Sequence, residues 1–438
     1  MAEIRPFRGV RYNQELIGDL SSVICPPYDV ITPQMEDELY HRSEYNFVRL
    51  EYSRQLPQDT MTDSRYTRSA ATLEQWLKTG VLQIDDKPAI YLHDHYFVHG
   101  GKQNRRRGII AAIRLEGWDK RVIRPHEGTL AKPGDDRLSL LWALQANTSP
   151  ILALYEDQGE RLSSLLALEE RNQPAITLST ADGEGHSIWA ITEPGVVDKI
   201  CASLAHQPLY IADGHHRYES ALTYQREKQS CASSVAGDEG FDFVAMTLVS
   251  FSDPGIITLP PHRMVRGIPT ASVSELLAEL RSLFEVEEMS LSAPGVWRQV
   301  DDLLAEKNTS EVDLILFGLD AEHLFLLRLR DFAATSEMMP YFHCDLYKRL
   351  DVSIVDHVIL EKMLGLGGGG EGAVLAYSYD KRDAVERVLN GEYQLAFLLS
   401  PIKLEVIKAI ADAGDRLPRK STYFYPKLPG GLVFRRLV

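Results

Sequence analysis

The stretch PLYIADGHHRYESAL, residues 208–222, decides the class of fold to which this chain belongs. Its apolar first part predicts a strand over residues 209–212, and its last part predicts a helix over residues 218–228. A polar turn that contains one glycine lies between them. A strand that ends in glycine and opens into a helix brings backbone N–H groups and the positive end of the helix dipole to one point.

The polar part of this stretch, Asp213 to Arg217, is named the DGHHR segment below. A helix start of this kind suits a phosphate group, which assigns Gly214, His215, His216 and Arg217 to phosphate or nucleotide binding. Asp213 is then either a general base toward a hydroxyl group or a ligand of magnesium. The alternative is a helix cap with exposed polar residues, because aspartate is common before helices. A cap does not account for two histidines followed by arginine.

The composition of the chain limits its partners and its compartment. A net charge of −15 over 438 residues argues against a general nucleic-acid binder, because phosphate backbones require a basic surface. The four cysteines form no C-x-x-C pair, which favours free thiols in a reducing cytosol over a zinc knuckle. Neither an apolar signal core nor a run of 18 apolar residues is present, so we expect a soluble, cytoplasmic protein.

Strand patterns alternate with helical patterns along the rest of the chain, which predicts a mixed α/β fold. The expected elements include a strand over 45–51, a hairpin of strands 89–98 and 107–115, a rigid polar loop at 260–263, and a helix that Ser400 caps and Pro401 opens. The glycine run 365–372 lacks the Lys-Ser/Thr end of a phosphate-binding loop, so a connector is the favoured interpretation.

Two other polar clusters are candidates for the same chemistry. In the loop 124–129, Glu127 is a candidate base or metal ligand and His126 a candidate phosphate contact. Near the C-terminus, Lys420, Ser421 and Thr422 combine a positive charge with hydroxyl groups that suit an anion. The alternative for both clusters is a solvated loop.

Two smaller features leave alternatives open. The rigid loop Pro27-Tyr28-Asp29 brings Asp29 either to the site or into a local turn. His93 and His95 alternate on an expected strand and therefore share one face. They form either a metal-binding pair, for which no third ligand is evident in the sequence, or a cross-strand pair at the surface.

Several long segments together resemble the bacterial and archaeal family called domain of unknown function 1015. They are CPPYDVI (25–31), YNFVRL (45–50), HEGT (126–129), ANTSPI (146–151), DGHHR (213–217) and KSTYFYPKL (420–428). The resemblance extends from near residue 3 to near residue 436.

The DGHHR segment is also similar to that of the free serine kinases called SerK. Those kinases have a ParB/sulfiredoxin-like fold in which such a turn binds nucleotide phosphates, and in them the motif aspartate and an upstream glutamate are catalytic. The resemblance implies a ParB/sulfiredoxin-like core with an N-terminal elaboration, which we expect over residues 1–330. Residues 331–438 lie outside the pattern of the small kinases, and we expect them to form a C-terminal α/β segment packed on that core. The resemblance also implies that Asp213 is catalytic, with Glu127 as the best candidate for the glutamate.

The expected function is therefore a nucleotide-dependent phosphotransferase that acts on a small hydroxyl substrate such as serine. The resemblance implies Mg²⁺ and ATP or ADP as cofactors. The expected partners are a small molecule and a nucleotide, with neither nucleic acid nor membrane, and a homo-oligomer is compatible with the sequence. Alternatives are hydrolysis of phosphoserine and a non-catalytic nucleotide sensor. A hydrolase with a metal on the adjacent histidines is less favoured, because neighbouring side chains point in different directions.

Overall fold

The computed structural model describes residues 2–60, 62–128, 131–231, 238–305, 312–366 and 374–437, with the backbone alone at 131–133. These residues belong to two compact units. Unit 1 comprises residues 1–125, 129–257 and 426–438, and unit 2 comprises residues 126–128 and 258–425. Both units contain a sheet and helices, which confirms the predicted mixed α/β class.

The main sheet of unit 1 has nine strands and mixed pairing. Its order is Ile123–Pro125, Leu209–Asp213, Ile151–Tyr155, Phe243–Ser250, Lys102–Arg114, Ile90–His99, Gly185–Ile191 and Ile176–Ser179, with Ile4–Arg5 paired to Lys102–Arg114. The predicted hairpin is confirmed by the antiparallel pairing of Ile90–His99 with Lys102–Arg114.

Both faces of this sheet are buried. Along one strand, Ile109, Ala111 and Ile113 belong to one hydrophobic cluster, whereas Ile110 and Ala112 belong to another. Successive side chains of a strand point to opposite faces, so the two clusters cover the two faces. All eight residues of the central strand Phe243–Ser250 are buried for this reason.

A smaller sheet and the helices complete unit 1. The smaller sheet has the order Leu82–Ile84, Gly9–Tyr12, Phe434–Arg436, Ala146–Asn147. The α-helices are Gln14–Ile17, Pro33–Arg42, Val48–Glu51, Arg65–Lys78, Ala131–Leu144, Arg161–Glu169, Pro194–Leu204 and His215–Cys231.

Unit 2 has its own core on a six-stranded sheet. The order is Phe284–Ser290, His323–Leu329, Asp313–Phe317, Leu395–Leu398, His262–Arg266, Val374–Ser378, and a separate pair joins Ile257–Leu259 to Tyr423–Tyr425. The helices are Thr270–Leu283, Val296–Leu303, Phe332–Glu337, Asp345–Lys348, Asp351–Ser353, the π-helix Ile354–Met363, Lys381–Leu389 and Leu404–Ala413.

The expected boundary between residues 330 and 331 does not coincide with the compact units. In unit 2, strand His262–Arg266 pairs with both Val374–Ser378 and Leu395–Leu398. Strands from both sides of residue 330 thus share one sheet, and residues 426–438 belong to unit 1.

Two predicted elements are wrong because tertiary contacts decide their conformation. The expected strand over 45–51 contains the helix Val48–Glu51. The side-chain amide of Asn46 donates to the carbonyls of Ser22 and Ile24, and its Oδ1 accepts from the backbone N–H of Val48 at 3.0 Å, which starts a helical turn. The expected loop at 260–263 runs into the buried strand His262–Arg266, whose two partner strands lie more than 100 residues later in the chain.

The helix expected at Pro401 begins later, at Leu404. The backbone N–H of Ser400 donates to Asp351 at 2.7 Å, which fixes this residue outside the helix. The glycine connector at 365–372 lies mostly outside the described residues. Within the described parts of the chain, every helix is too short or too polar to cross a lipid bilayer.

Candidate functional site

The DGHHR segment lies where the strand next to one edge of the main sheet of unit 1 meets a long helix. Strand Leu209–Asp213 pairs in parallel with Ile123–Pro125 and antiparallel with Ile151–Tyr155. Helix His215–Cys231 starts after a single intervening residue, Gly214. The turn is therefore tighter than the sequence predicts, because both histidines and the arginine already belong to the first helical turn.

Gly214 makes this tight turn possible. Its φ of 96° lies in the left-handed region, which glycine adopts without the steric cost of a side chain. A Cβ atom at this position would lie 2.9 Å from Nε of Arg217. The carbonyl of Gly214 accepts from the N–H of Tyr218 at 3.0 Å, so Gly214 caps the helix.

Two cations hold the carboxylate of Asp213. Nη2 of Arg217 donates to Oδ2 at 2.6 Å, and Nζ of Lys427 donates to Oδ1. The side chains are mostly buried, with exposed fractions of 20% for Asp213, 12% for Arg217 and 10% for Lys427. Arg217 is fixed further by the carbonyl of Pro150, which accepts from Nη1 at 2.8 Å.

The charges at this site determine its protonation. Burial by itself raises the pKa of Asp213, but the charges of Lys427 and Arg217 hold this pKa well below its usual range. Burial lowers the pKa of Lys427, and the charges of Asp213 and Asp29 more than compensate, so that the pKa is raised. Asp213 is therefore a carboxylate and Lys427 an ammonium ion at neutral pH.

Lys427 is not among the site residues that the sequence predicts, although it lies in the KSTYFYPKL segment that carries the resemblance. The second carboxylate near this lysine is Asp29, whose Oδ2 lies 3.8 Å from Nζ of Lys427. The structure thus favours the site interpretation of the rigid loop that contains Asp29. Burial raises the pKa of the neighbouring Tyr28 to about 12, which keeps its hydroxyl group protonated.

A small cavity of about 40 Å³, lined by both polar and apolar residues, adjoins Arg217. The polar lining residues are Glu51, Arg137, Asn147, Thr148, Ser149, Arg217 and Ser220. Oε1 of Glu51 accepts from Arg137 at 3.1 Å, and Oε2 accepts from Thr148 at 2.5 Å. Oγ of Ser149 and Nε of Arg217 are buried and have no hydrogen-bond partner among the described residues. Buried polar atoms of this kind need a hydrogen-bond partner, which a water molecule or a ligand group would supply.

The other candidate residues belong to unit 2, where the structure brings the two expected loops together. Oε1 of Glu127 accepts from the backbone N–H of Lys420 at 3.0 Å, and Nε2 of His126 lies 2.9 Å from Oγ1 of Thr422. The hydroxyl of Ser421 donates to the carbonyl of Pro418. Thr129, at the end of the first loop, lies outside the described residues.

Lys420 has a φ of 55°, an uncommon conformation for a residue with a side chain. This turn presents the backbone N–H of Lys420 to Glu127 and leaves its side chain exposed. The assignment of these residues to phosphate binding remains a prediction.

Comparison with known proteins assigns the chain to a family. A family model described as "Protein of unknown function (DUF1015)" matches residues 4–353, and the chain belongs to this family. The comparison with curated proteins gave no match.

Solved structures show only distant likeness. A conserved hypothetical protein from Pyrococcus furiosus has 14% identity and a TM-score of 0.34, with 74% of this chain and 93% of that chain covered. A free serine kinase in complex with AMP has 14% identity and a TM-score of 0.33, with 72% and 86% covered. SbnI from Staphylococcus aureus, truncated at its C-terminus, has 10% identity and a TM-score of 0.35, with 74% and 86% covered. Scores this low carry no argument about this chain.

Proposed function

We propose that this protein is a nucleotide-dependent phosphotransferase that acts on a small hydroxyl substrate, with serine or phosphoserine as the first candidate. The DGHHR segment would hold the transferring phosphoryl group. ATP or ADP would be the phosphoryl donor. The observation that carries the proposal is the convergence of Arg217 and Lys427 on Asp213 at the start of a helix.

This convergence supports phosphate binding for electrostatic reasons. The N–H groups at the start of a helix and two cationic side chains favour an anion in the same place. Lysine and arginine are the residues that commonly neutralise phosphoryl oxygens, and positioning together with charge neutralisation is most of phosphoryl-transfer catalysis. Asp213 keeps both cations in position before a ligand binds.

The low pKa of Asp213 suggests different roles for the two candidate carboxylates, Asp213 and Glu127. A carboxylate that two cations stabilise is a weak base, so we assign Asp213 to the orientation of Arg217 and Lys427. The acceptance of the hydroxyl proton is then proposed for Glu127, which is the candidate glutamate that the family resemblance implies.

Asp213 does not fit the direct binding of Mg²⁺. Both of its oxygens accept from cationic donors, and a magnesium ion at either oxygen would be repelled by Lys427 and Arg217. The proposal therefore routes no step through a magnesium ion on Asp213.

The test is an assay with purified protein, serine, Mg²⁺, and either ATP or ADP, in which phosphoserine is measured by mass spectrometry. Phosphoserine alone is incubated in parallel, and the release of phosphate is measured. Formation of phosphoserine supports the proposal. Release of phosphate from phosphoserine without nucleotide would instead identify the protein as a phosphoserine hydrolase. Binding of nucleotide without turnover would identify it as a non-catalytic nucleotide sensor.

Variants separate the roles of the two carboxylates. Glu127→Gln is expected to lower kcat by about 10²–10⁴-fold while nucleotide affinity changes little, as for the loss of a general base. Arg217→Lys is expected to weaken nucleotide binding, because a lysine cannot reproduce the guanidinium fork. Glu279→Gln is the matched control for Glu127→Gln, because it makes the same substitution at an exposed position of unit 2. Equal kcat in Glu127→Gln and Glu279→Gln would exclude Glu127 as the base.

A further inference from the structure

Three buried imidazoles lie together on the main sheet of unit 1, away from the DGHHR segment in sequence. His93 and His95 are on strand Ile90–His99, and His186 on the adjacent strand Gly185–Ile191 pairs directly with His95. The ring centroids of His95 and His186 are 4.2 Å apart, and those of His93 and His186 are 5.3 Å apart. All three side chains are at most 3% exposed, so the surface alternative for His93 and His95 is wrong.

Glu184 supplies a carboxylate to this group. Its Oε2 lies 2.8 Å from Nε2 of His95 and 4.0 Å from Nε2 of His186. One ligand atom each from His95, Glu184 and His186 can be chosen so that all three lie within 4.8 Å of one another. Ligands bound to one tetrahedral zinc ion at about 2.0–2.1 Å are roughly 3.3 Å apart, so small side-chain movements would bring the three atoms onto one ion.

The surrounding residues orient these rings. Nδ1 of His186 lies 3.0 Å from Nε2 of His93, so a proton between them can leave Nε2 of His186 free for a metal. Histidine ligands usually make such a hydrogen bond through their second nitrogen, which fixes the ring and its tautomer.

Arg106 determines the tautomer of His95. Its Nη2 donates to Nδ1 of His95 at 3.1 Å and to the carbonyl of Pro426 at 2.8 Å. A guanidinium group has no acceptor, so the ring proton of His95 is on Nε2, where it faces Glu184. Binding of a metal ion at Nε2 requires the other neutral tautomer of His95, in which the ring proton has moved to Nδ1. Nη2 of Arg106 must then give up its hydrogen bond to Nδ1 and keep the one to the carbonyl of Pro426.

We propose that His95, His186 and Glu184 form a binding site for one divalent transition-metal ion, with zinc as the ion that fits two imidazoles and one carboxylate. Three protein ligands leave one position of a tetrahedral ion for water, which is the pattern of zinc sites that are open to a reactant. The side chain of Glu184 is 24% exposed, so it provides the route to solvent. His93 is a positioning residue for His186.

A metal-free hydrogen-bond network is the competing explanation, because each ring also has a protein partner. The two explanations differ in a direct measurement. Tag-free wild-type protein is dialysed against a chelator and titrated with Zn²⁺ by calorimetry, and separately with Co²⁺, whose visible absorption reports tetrahedral coordination. The proposal requires one ion per chain and a tetrahedral Co²⁺ spectrum. Wild-type protein that binds neither ion would overturn it, whatever the variants do.

Three variants and one control locate the ion. Glu184→Gln and His186→Gln are expected to lose binding by at least about 100-fold, and His93→Gln by about 10–100-fold, as for the loss of an orienting partner. His206→Gln removes an exposed histidine outside the cluster and should bind like the wild type. Affinity in Glu184→Gln or His186→Gln equal to that of the wild type would refute the site. The melting temperature without metal identifies any variant that does not fold, and the wild-type titration then decides.

Discussion

Replacement of Asp213 by asparagine tests whether this carboxylate is the counter-charge of Lys427 and Arg217. The change keeps the size of the side chain and removes one negative charge. Both cations are at least 88% buried at the side chain, so they cannot recover their hydration by small movements. Two neighbouring positive charges would then face each other without the group that separates them. We therefore expect Asp213→Asn to destabilise unit 1.

The size of the effect follows from the burial of the pair. The loss of one partner of a buried ion pair costs roughly 3–5 kcal/mol, and the 20% exposure of Asp213 places the estimate at about 3 kcal/mol. At about 2–4 °C per kcal/mol for a large domain, the melting temperature should fall by roughly 6–12 °C. Asp198→Asn, at an exposed position of unit 1, is the matched control and should change stability by less than about 0.5 kcal/mol.

The assay is differential scanning calorimetry at pH 7 on the wild type, Asp213→Asn, Lys427→Met and the double variant. Lys427→Met should cost less than Asp213→Asn, because Asp213 still accepts from Arg217. The double variant should be more stable than the sum of the single changes predicts, by about 1–3 kcal/mol, since it removes both a charge and its partner. A melting temperature of Asp213→Asn within 2 °C of the control, or additive effects in the double variant, would refute the ion-pair reasoning (the 2 °C limit is roughly 0.5–1 kcal/mol).

Three other predictions concern stability. Gly214→Ala should cost about 1–3 kcal/mol, because φ is 96° and the new Cβ would meet Arg217; a melting temperature like that of the wild type would contradict this. The folded-state pKa of Asp213 is lowered, so the carboxylate stabilises the fold fully above its unfolded pKa of about 4, and this stabilisation is lost as the pH falls. The difference in melting temperature between the wild type and Asp213→Asn should therefore shrink from pH 7 to pH 3. A difference that stays constant over this range would contradict the lowered pKa. In unit 2, Phe397→Ala should lower the free energy of unfolding by about 3–5 kcal/mol, because Phe397 is fully buried and its removal leaves a cavity. A loss of less than about 1 kcal/mol by calorimetry would contradict this, because it would mean that the neighbouring side chains fill the space.

Local features of the fold could be predicted from the sequence because they depend on neighbouring residues. The apolar run before Asp213, the glycine and the helical pattern after it predict strand, turn and helix, and the structure has all three. The hairpin of Ile90–His99 with Lys102–Arg114 follows in the same way from two strand patterns and a short glycine turn. The helix at Val48–Glu51 was missed because Ser22 and Ile24 position the side chain of Asn46, which then accepts from the backbone N–H of Val48.

The sequence by itself determined the chemistry of the DGHHR segment, since its residue types and order are local. Only the tertiary structure decided which distant residues complete each site. Lys427 is 214 positions after Asp213, and His186 is 93 positions after His93. The second pair depends on the register of strands Ile90–His99 and Gly185–Ile191, because a slip of one residue would turn every side chain to the opposite face. The first pair depends on the path of the chain, which brings the loop of Lys427 to the end of the strand at Asp213. No local pattern encodes either contact, and so neither Lys427 nor the partners of His93 and His95 could be found before the chain was folded.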